Sequence, residues 1–400
     1  MRVAVIGAGA SGLFVSGLLA DKGFDVTCFD KNEKAGKKLF ITGKGRCNLT
    51  NLCEVDEFLK NVVRGDKFLK TALYSFSSQN CVDFFEELGL KTKVERGNRV
   101  FPESDKAGDV VNILKNVHCK YVDFRFNEEV LSVFKDGDSF CVKTTKSKYE
   151  FDRVIVATGG KSYKATGSDG AGYKIAKSFG HNVVEVVPAL CPIKIANKFV
   201  KSLQGVSLKN VSLNVVADGK RISEFGEMIF TDVGISGPIV LTVSSLINRA
   251  KDVKLSLDFK PALTEKQLDA RLLRDFEENK NKDLKNVLKG LLPKAVADIF
   301  AVAIGLDENK KINSITKEER AKLLNGLKNF ELNFQGLYEI DTGIVTSGGV
   351  DILQINPKTF ESKLTSGLYF LGEVLDVDAF TGGFNLQIAF ATAFACAKNF

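Results

Sequence analysis

Residues that bind metal are scarce in this chain, which has two histidines and eight cysteines among 400 residues. No two cysteines are spaced as C-x-x-C, so the usual ligand pattern of a structural zinc site is missing and we expect no bound metal. The cysteines are also scattered through a long chain. This excludes a disulfide-stapled small domain and predicts reduced thiols in the cytoplasm.

The chain also lacks a long apolar segment free of turn residues. Residues 3–20 (VAVIGAGASGLFVSGLLA) come closest and resemble a signal peptide. However, glycines interrupt the first half of the segment, and Leu18 occupies the −3 position of a cut after Ala20, where a small residue is usual. We therefore interpret the segment as a strand, a turn and a helix, and we expect no membrane anchor.

The excess of positive charge is small. The chain has 56 lysines and arginines against 49 acidic residues, a net charge of +7, with 44% apolar residues. These values exclude whole-chain disorder and permit an anionic partner without requiring one, and we do not expect DNA binding. At ~150 residues per domain the length predicts two or three domains.

The order of strand-like and helix-like segments along the chain predicts an α/β protein. Residues 3–6, 13–22 and 25–29 read as strand, helix and strand around a glycine turn, and residues 154–157 and 368–371 read as further buried strands. Helical spacing covers the segments 54–63, 66–77, 78–88 and 384–398, and residues 117–151 alternate as antiparallel strands do.

The middle of the chain has a different character. Residues 188–259 read as strands, with turns at Asp218-Gly219 and Gly237-Pro238, whereas residues 263–330 have a helical period. We therefore predict a discontinuous dinucleotide-binding domain of residues 1–187 and 341–400. A β-rich insert (188–262 and 331–340) and a helical insert (263–330) would interrupt it.

The first turn carries a dinucleotide-binding fingerprint, Gly7-Ala8-Gly9-Ala10-Ser11-Gly12. In this pattern the first glycine makes the turn, the second admits a pyrophosphate to the helix N-terminus and the third lets helix and strand pack closely. Asp30 follows 18 residues after Gly12, where a carboxylate that binds ribose hydroxyls is expected.

Two later segments favour FAD over NAD as the dinucleotide. Residues 154–160 form an apolar strand that ends in glycines, and residues 368–373 form a second strand that ends in Glu373. The helix that begins near residue 384 would direct backbone N–H groups at the flavin, where they stabilise the charge of its reduced form.

Residues 36–51 (GKKLFITGKGRCNLTN) resemble the signature of the BaiN/RdsA family of NAD(P)- and FAD-dependent oxidoreductases. The likeness continues through residues 227–238 (EMIFTDVGISGP), 345–350 (VTSGGV) and 382–387 (GGFNLQ). It implies a Rossmann-like FAD domain of the two-dinucleotide-binding type, interrupted by a β-rich and a helical domain. The sequence departs from the family pattern at three positions. These are Lys37, where many members have arginine, Asp232 and Phe360.

The resemblance implies a set of FAD contacts along the whole cofactor. The contacts at the pyrophosphate and adenosine end are Gly7, Gly9, Ala10, Ser11, Gly12, Asp30, Lys31 and Val130. Those along the ribityl chain and the flavin are Lys38, Thr42, Gly43, Arg46, Cys47, Asn48, Ala157, Thr158, Gly159, Gly372, Glu373, Asp376, Gly383, Asn385, Leu386 and Gln387.

Two residues are candidate proton donors for hydride transfer at flavin N5. Cys47 lies in the signature loop, and its alternative role is packing against the flavin. Asp232 lies in a turn of the insert, and its alternative role is capping that turn. A second complete G-x-G-x-x-G unit is missing, because the run 167–172 follows a loop, so any NAD(P)H would bind transiently.

Three functions remain open. The family chemistry predicts reduction of an activated C=C bond, either in a uridine of RNA, which the basic segments 31–46 and 188–217 slightly favour, or in a steroid-like small molecule. Oxidation of an amine is a variant of the small-molecule function. The third alternative is a flavin-bound sensor without turnover. The oligomeric state is not indicated.

Overall fold

The computed structural model describes all 400 residues. The chain folds as two compact units, which we call the first unit (residues 1–189 and 340–400) and the second unit (residues 190–339).

The strands vary in length from two to eleven residues. In chain order they are β1 (Arg2–Ile6), β2 (Asp25–Phe29), β3 (Thr50–Asn51), β4 (Val62–Arg64), β5 (Thr92–Glu95), β6 (Arg99–Pro102), β7 (Asp123–Arg125), β8 (Val130–Asp136), β9 (Ser139–Thr144), β10 (Lys148–Phe151), β11 (Arg153–Val156), β12 (Val183–Ala189), β13 (Ile193–Ile195), β14 (Ser207–Ala217), β15 (Lys220–Phe230), β16 (Gly234–Ser236), β17 (Val253–Asp258), β18 (Phe330–Leu332), β19 (Phe334–Leu337), β20 (Val345–Val350), β21 (Leu368–Phe370) and β22 (Asp378–Ala379).

The α-helices are mostly short, and none of them combines the length and the apolar character needed to cross a bilayer. They are α1 (Ala10–Asp21), α2 (Lys37–Ile41), α3 (Val55–Lys60), α4 (Asp66–Ser75), α5 (Ser78–Glu87), α6 (Ala107–Asn112), α7 (Ala171–Ser178), α8 (Pro238–Ile247), α9 (Glu265–Glu278), α10 (Leu284–Leu288), α11 (Lys294–Ala303), α12 (Lys317–Lys328) and α13 (Phe384–Lys398).

A five-stranded parallel sheet forms the centre of the first unit, in the order β21-β11-β1-β2-β7. The chain first adds strands on one side of β1 and later adds β11 and β21 on the other side. The direction of the winding therefore changes at β1, and parallel α/β sheets bind ligands at such a point, beside the carboxyl ends of their strands.

Burial on both faces explains why β1 and α1 consist almost entirely of apolar and small residues. Residues 3–6 of β1 are all buried, as expected for a strand covered on both sides. Helix α1 is buried over most of its surface and packs against α13, so it lacks the polar face of a surface helix.

The second unit is built on a seven-stranded antiparallel sheet, in the order β18-β17-β14-β15-β16-β13-β19. Buried residues of this sheet, such as Leu213 and Leu257, share one hydrophobic core with Phe300 of α11 and Leu327 of α12. The β-rich and helical segments of the insert therefore pack as one body, and their separation into two domains stays a prediction.

The sequence predicts the α/β fold class and most of the elements that build it. The bounds of β2 and α13 agree with the predicted ones, and helices occupy much of 263–330. One prediction is wrong: residues 238–247 lie in a segment predicted as strand but form helix α8. Its β-branched residues favour a strand, yet proline at the first helical position and burial against β15 stabilise a helix.

A second prediction is wrong for the start of the segment 117–151, which was expected to be antiparallel throughout. Residues 113–118 form a turn of π-helix, and β7 pairs with β2 in the parallel sheet. The antiparallel hairpins begin only at β8.

Candidate functional site

The carboxyl ends of the parallel strands bring distant parts of the chain to one edge. Gly7 follows β1, Asp30 follows β2 and Ala157 follows β11. The loop after β21 carries Gly372 and Glu373, so the N-terminal and C-terminal segments of the chain meet here. We call this region the carboxyl edge.

The three fingerprint glycines have different surroundings at this edge. Gly7 has φ +104°, and a Cβ on it would lie 2.6 Å from the carbonyl oxygen of Ala157. A Cβ on Gly12 would overlap the carbonyl oxygen of Gly7, whereas a Cβ on Gly9 would meet nothing within 4 Å. Gly7 and Gly12 are therefore required by the turn itself, and Gly9 borders open space.

Helix α1 begins at this open space without a cap. Its N-cap residue is Gly9, no side chain caps the helix and no acidic residue lies in the first turn. The first N–H groups of a helix have no partner within the helix and carry its positive dipole end. The start of α1 at Ala10, Ser11 and Gly12 is thus suited to an anion such as a pyrophosphate.

Asp30 is held in place by the backbone around it. One carboxylate oxygen accepts from the N–H of Ala8 at 2.8 Å, and the other accepts from the backbone and side-chain N–H groups of Asn32. An ionised carboxylate has about four acceptor positions, so these three donors leave room for one more. The next residue, Lys31, forms an ion pair with Asp169 at 2.6 Å.

Glu373 forms the centre of a polar cluster at the same edge. Lys38 makes an ion pair with Glu373 at 2.8 Å and also donates to the hydroxyl of Ser162 at 2.8 Å. The backbone N–H of Thr346 donates to Glu373 at 2.9 Å. The cluster therefore joins two residues predicted as cofactor contacts, Lys38 and Glu373, and adds Ser162 and Thr346, which the sequence did not indicate.

The signature loop after α2 places Arg46 against acidic residues. Its guanidinium bonds to Asp105 at 2.8 Å, pairs with Glu95 and lies 4.1 Å from the centre of the Phe101 ring. Hydrogen bonds from Arg46 lower the pKa of Glu95, and those from Lys93 and Arg46 lower the pKa of Asp105. The charge of Arg46 is thus already balanced within the chain.

Cys47 lies in the same loop and is fully buried. Its φ of +61° is in the left-handed region, which cysteine rarely adopts. Burial raises the pKa of this thiol to about 12, so the thiol stays protonated at neutral pH. It is positioned as a packing residue that retains a proton, and its role in catalysis stays a prediction.

Other predicted residues of this loop lie close by. Thr42 donates to the carbonyl oxygen of Leu39 at 2.7 Å, and Gly43 has φ +57°. The side-chain oxygen of Asn48 is buried without a hydrogen-bond partner, and the same holds for the hydroxyl of Thr158 beside Gly159. Buried polar atoms usually have a partner, so these positions are suited to bonding a ligand.

Helix α13 also begins without a side-chain cap. Gly383 has φ +100°, and a Cβ on it would overlap the carbonyl of Thr50. The side chain of Asn385 bonds to both backbone groups of Ala379, and Gln387 donates to the carbonyl of Phe76 while its own oxygen stays unpaired. Leu386 is half-buried between them.

The remaining predicted contacts of the first unit have structural partners. Asp376 is buried and receives two hydrogen bonds from Arg64, at 2.7 and 2.6 Å. Val130 is buried at the start of β8 and pairs with Thr144. The structure thus shows Asp376 in an ion pair that its sequence position did not predict.

Residues 1–399 match the family described as the HI0933-like protein Rossmann domain. This chain belongs to that family. It is 32% identical over 399 residues to the ribosomal RNA dihydrouridine synthase of Escherichia coli, covering 99% of this chain and 96% of the relative. It is 30% identical over 406 residues to the 3-dehydro-bile acid delta(4,6)-reductase of Clostridium scindens, covering 99% of this chain and 98% of the relative.

The HI0933-like chain is also similar in fold to a flavocytochrome c3 fumarate reductase in its open conformation. The TM-score is 0.53 at 16% identity, with 100% of this chain and 77% of the other covered. These comparisons confirm the family, the fold class and the oxidoreductase class that the sequence predicts.

The other candidate proton donor of the HI0933-like chain belongs to the second unit. Asp232 is an exposed residue of the second unit, in the turn between β15 and β16. Its catalytic role stays a prediction. The run 167–172 follows a short 3-10 turn and leads into α7, so it lacks the strand that a second dinucleotide fingerprint would have.

Sequence reasoning missed Arg64, Ser162 and Thr346, which contact predicted residues of the HI0933-like site. Their partners are more than 25 residues away in the chain. The one available signal was Thr346 in the segment 345–350, which the family resemblance includes.

Proposed function

We propose that this chain binds FAD along the carboxyl edge of its parallel sheet and reduces an activated C=C bond in a uridine of ribosomal RNA. The observation that carries the cofactor proposal is the meeting of both chain ends at this edge, with two uncapped helix N-termini. Bound FAD supplies hydride transfer through the flavin N5, with reduced nicotinamide nucleotide as the transient donor.

The start of α1 holds the pyrophosphate in this proposal. The open space at Gly9 lets phosphate oxygens approach the N–H groups of residues 10–12, and the helix dipole adds attraction for the negative charge. Asp30 offers its remaining acceptor position to a ribose hydroxyl, and Lys31 and Val130 complete the adenosine end.

The residues at the other end hold the ribityl chain and the flavin. Glu373 keeps one free acceptor position on Oε2, which accepts only from Lys38, and the hydroxyl of Thr158 is buried without a hydrogen-bond partner. The hydroxyl of Thr392 on α13 accepts from the N–H of Gly372 at 3.1 Å. The helix begins eight residues earlier, so its N-terminus lies about 12 Å along the helix axis from Thr392.

The relatives support an alkene as the acceptor of the hydride. A dihydrouridine synthase and a delta(4,6)-reductase are both similar to this chain over 99% of its length. The chain covers 96% of the first relative and 98% of the second. The basic segments 31–46 and 188–217 slightly favour the polyanionic substrate, and the eight free cysteines fit a reducing compartment such as the cytoplasm.

Cys47 and Asp232 are the proposed proton donors. If Cys47 donates the proton, Cys47→Ala keeps its full FAD content but loses turnover. An unchanged turnover would eliminate Cys47. If Asp232 donates it, Asp232→Asn changes the pH dependence of turnover, and an unaltered profile would eliminate Asp232.

Expression of this chain in an Escherichia coli strain that lacks its ribosomal RNA dihydrouridine synthase tests the substrate. We expect dihydrouridine to reappear in ribosomal RNA, measured by mass spectrometry after digestion, and Gly9→Ser to abolish it. Wild-type chain that carries FAD yet restores no dihydrouridine would favour the second candidate, reduction of an unsaturated steroid-like molecule, which the delta(4,6)-reductase relative supports. An oxidised flavin that no donor bleaches would indicate a sensor.

A further inference from the structure

One edge of strand β20 holds the loop that follows β21. The other edge of β20 pairs with β12. On the loop side, the carbonyl oxygen of Val350 accepts from the N–H of Asp376 at 3.0 Å. Near the start of the strand, the N–H of Thr346 donates to Oε1 of Glu373 at 2.9 Å. Edge groups of a strand usually bond to the backbone of another strand, so at Thr346 the strand binds a carboxylate instead.

The side chain of Thr346 binds a second loop. Its hydroxyl oxygen accepts from the N–H of Lys161 at 2.7 Å and from the N–H of Ser162 at 3.1 Å. These two donors occupy both lone pairs of the hydroxyl oxygen. Thr346 and Ser162 are both fully buried, so the N–H of Ser162 would lose its partner inside the protein if the hydroxyl were removed. Thr346 therefore joins the loop after β11 to the loop after β21.

Gly160 allows these groups to come together. A Cβ on Gly160 would lie 2.4 Å from the hydroxyl oxygen of Thr346 and 3.1 Å from Oε1 of Glu373. The backbone of Gly160 has no positive φ, so the close approach of its neighbours is the reason for glycine here.

The two oxygens of Glu373 have different surroundings. Oε1 accepts from the N–H of Thr346 and from the ammonium of Lys38 at 3.0 Å, and it lies 3.3 Å from the hydroxyl of Ser162. A carboxylate oxygen has about two acceptor positions, so Oε1 has none to spare. Oε2 accepts only from Lys38, at 2.8 Å, and keeps one position free.

This difference fixes the orientation of the carboxylate. The last torsion of a glutamate side chain is broad and nearly twofold, so a free carboxylate turns easily about it. Any such turn in Glu373 would move Oε1 away from the N–H of Thr346. It would also separate Oε1 from Ser162, whose hydroxyl accepts from Lys38 at 2.8 Å. Thr346 and Ser162 thus hold the carboxylate and the ammonium in one arrangement.

We propose that Thr346 and Ser162 are positioning residues for FAD, which fix Glu373 so that Oε2 accepts from a hydroxyl of the ribityl chain. The proposal rests on the proposed function, in which Glu373 contacts that chain. An acceptor that is already oriented binds its ligand more tightly, because no freedom of the side chain is lost on binding. The effect of Thr346 and Ser162 on FAD must therefore pass through the carboxylate of Glu373.

The test titrates the full-length apoprotein with FAD and measures unfolding of each variant in urea. Thr346→Val keeps the shape of the side chain but removes the acceptor, so it should weaken FAD binding about fivefold or more, as expected for one hydrogen bond. Thr346→Ser keeps the hydroxyl and should bind FAD as the wild type does. Ser162→Ala removes a single hydroxyl, so it decides the question if Thr346→Val does not fold, and it should also weaken FAD binding.

A double-mutant cycle separates positioning from a purely structural role. Glu373→Ala removes the carboxylate that is to be oriented, while the FAD contacts proposed at α1 and Asp30 remain. In this background Thr346→Val or Ser162→Ala should weaken FAD binding by less than about twofold. A structural role would give the same loss with and without the carboxylate.

Thr144→Val is the matched control. Thr144 is a buried threonine of the first unit whose hydroxyl accepts from the N–H groups of Lys146 and Ser147, at 3.1 and 3.0 Å. It also donates to the buried carboxylate of Glu128 at 2.7 Å. The substitution therefore removes the same kind of bonds at another place. Whatever it does to FAD binding should be the same, within about twofold, with and without Glu373→Ala.

Three results would overturn the proposal: Ser162→Ala, and Thr346→Val where it folds, bind FAD as tightly as the wild type; their losses persist in the Glu373→Ala background; or Thr346→Ser is as weak as Thr346→Val. The proposed function fails separately. If the wild-type chain binds no FAD, the proposed cofactor site fails and this proposal fails with it. If the wild type binds FAD and the cycle is additive, only the positioning role fails.

Discussion

The parallel sheet of the first unit and the antiparallel sheet of the second unit present their functional groups in different places. The parallel sheet is buried on both faces, so its polar residues gather where the strands end, at Asp30 and Glu373. The antiparallel sheet buries one face and leaves Phe225 and Arg221 on the other. The parallel sheet therefore places its polar side chains at the ends of its strands, and the antiparallel sheet places its exposed side chains on one face.

The two sheets also differ in how substitutions should affect folding and binding. At the carboxyl edge the same glycines shape the turn and border the site, so structural and binding roles lie within a few residues. In the second unit the exposed side chains of the sheet, such as Phe225, lie on the face opposite the core, so the fold does not depend on them. Substitutions should therefore affect folding and binding together at the carboxyl edge of the first unit.

Adding a Cβ at Gly12 or at Gly234 gives the largest expected effect. Each Cβ would overlap a backbone carbonyl oxygen, that of Gly7 in the first unit and that of Ile193 in the second. We expect Gly12→Ala and Gly234→Ala to lower the free energy of unfolding by about 3 kcal/mol each, measured with urea. FAD content per folded molecule should fall only in Gly12→Ala.

Gly9→Ser is the control that separates an effect on the stability of the turn from an effect on FAD binding. Serine is a preferred N-cap residue, and the φ of −86° at Gly9 suits it, so the stability of the apoprotein should be kept. Its side chain would enter the space proposed for the pyrophosphate, so FAD should bind at least about tenfold more weakly, a loss of about 1.4 kcal/mol. FAD binding at wild-type affinity would contradict the pyrophosphate site.

Buried ion pairs give the next effect, and each unit has one. Arg64 pairs with Asp376 at 2.6 Å in the first unit, and Lys328 pairs with Asp258 at 2.5 Å in the second. Replacing the cation by methionine leaves a mostly buried carboxylate, so Arg64→Met and Lys328→Met should each cost about 2–3 kcal/mol.

The comparison predicts that only Arg64→Met also weakens FAD binding, because Asp376 lies three residues after Glu373 at the carboxyl edge. Urea unfolding and FAD titration of both variants check this. Equal FAD affinity in the two variants would show that Asp376 has a purely structural role.

The carboxyl edge could be predicted from the sequence because its signals are local. A glycine fingerprint, a strand on each side and an acid at the end of a strand stand within thirty residues. The uncapped start of α13 could be predicted from Gly382-Gly383. The ion pairs could not, because Lys38 and Glu373, or Arg64 and Asp376, are joined only by the closing of the sheet.

The second unit was less predictable, for a physical reason. Helix α8 contains the β-branched residues typical of a strand, and burial against β15 decides its form. The proline after Gly237 was the signal that would have found its start. The exposed face of the antiparallel sheet also depends on register across neighbouring strands, which the alternation of one strand does not reveal.

Two buried thiols give an effect that is absent at neutral pH and develops only in alkaline solution. Burial raises the pKa of Cys47 to about 12 and that of Cys191 to about 11, from a usual value near 9. The folded chain therefore keeps these protons after the unfolded chain has released them. The stability that each thiol adds is complete below about pH 9 and is lost as the pH rises towards its folded pKa.

We expect the free energy of unfolding, followed by circular dichroism because the chain has no tryptophan, to fall by up to about 1.4 kcal/mol per pH unit for each thiol above pH 9. Cys47→Ala should remove the contribution of its thiol to this fall between about pH 9 and pH 12, whereas Cys191→Ala should remove it only between about pH 9 and pH 11. Other buried thiols, such as Cys28 and Cys81, supply a background that both variants share. Parallel curves for wild type and Cys47→Ala would mean that solvent reaches Cys47 and that burial does not raise the pKa of its thiol.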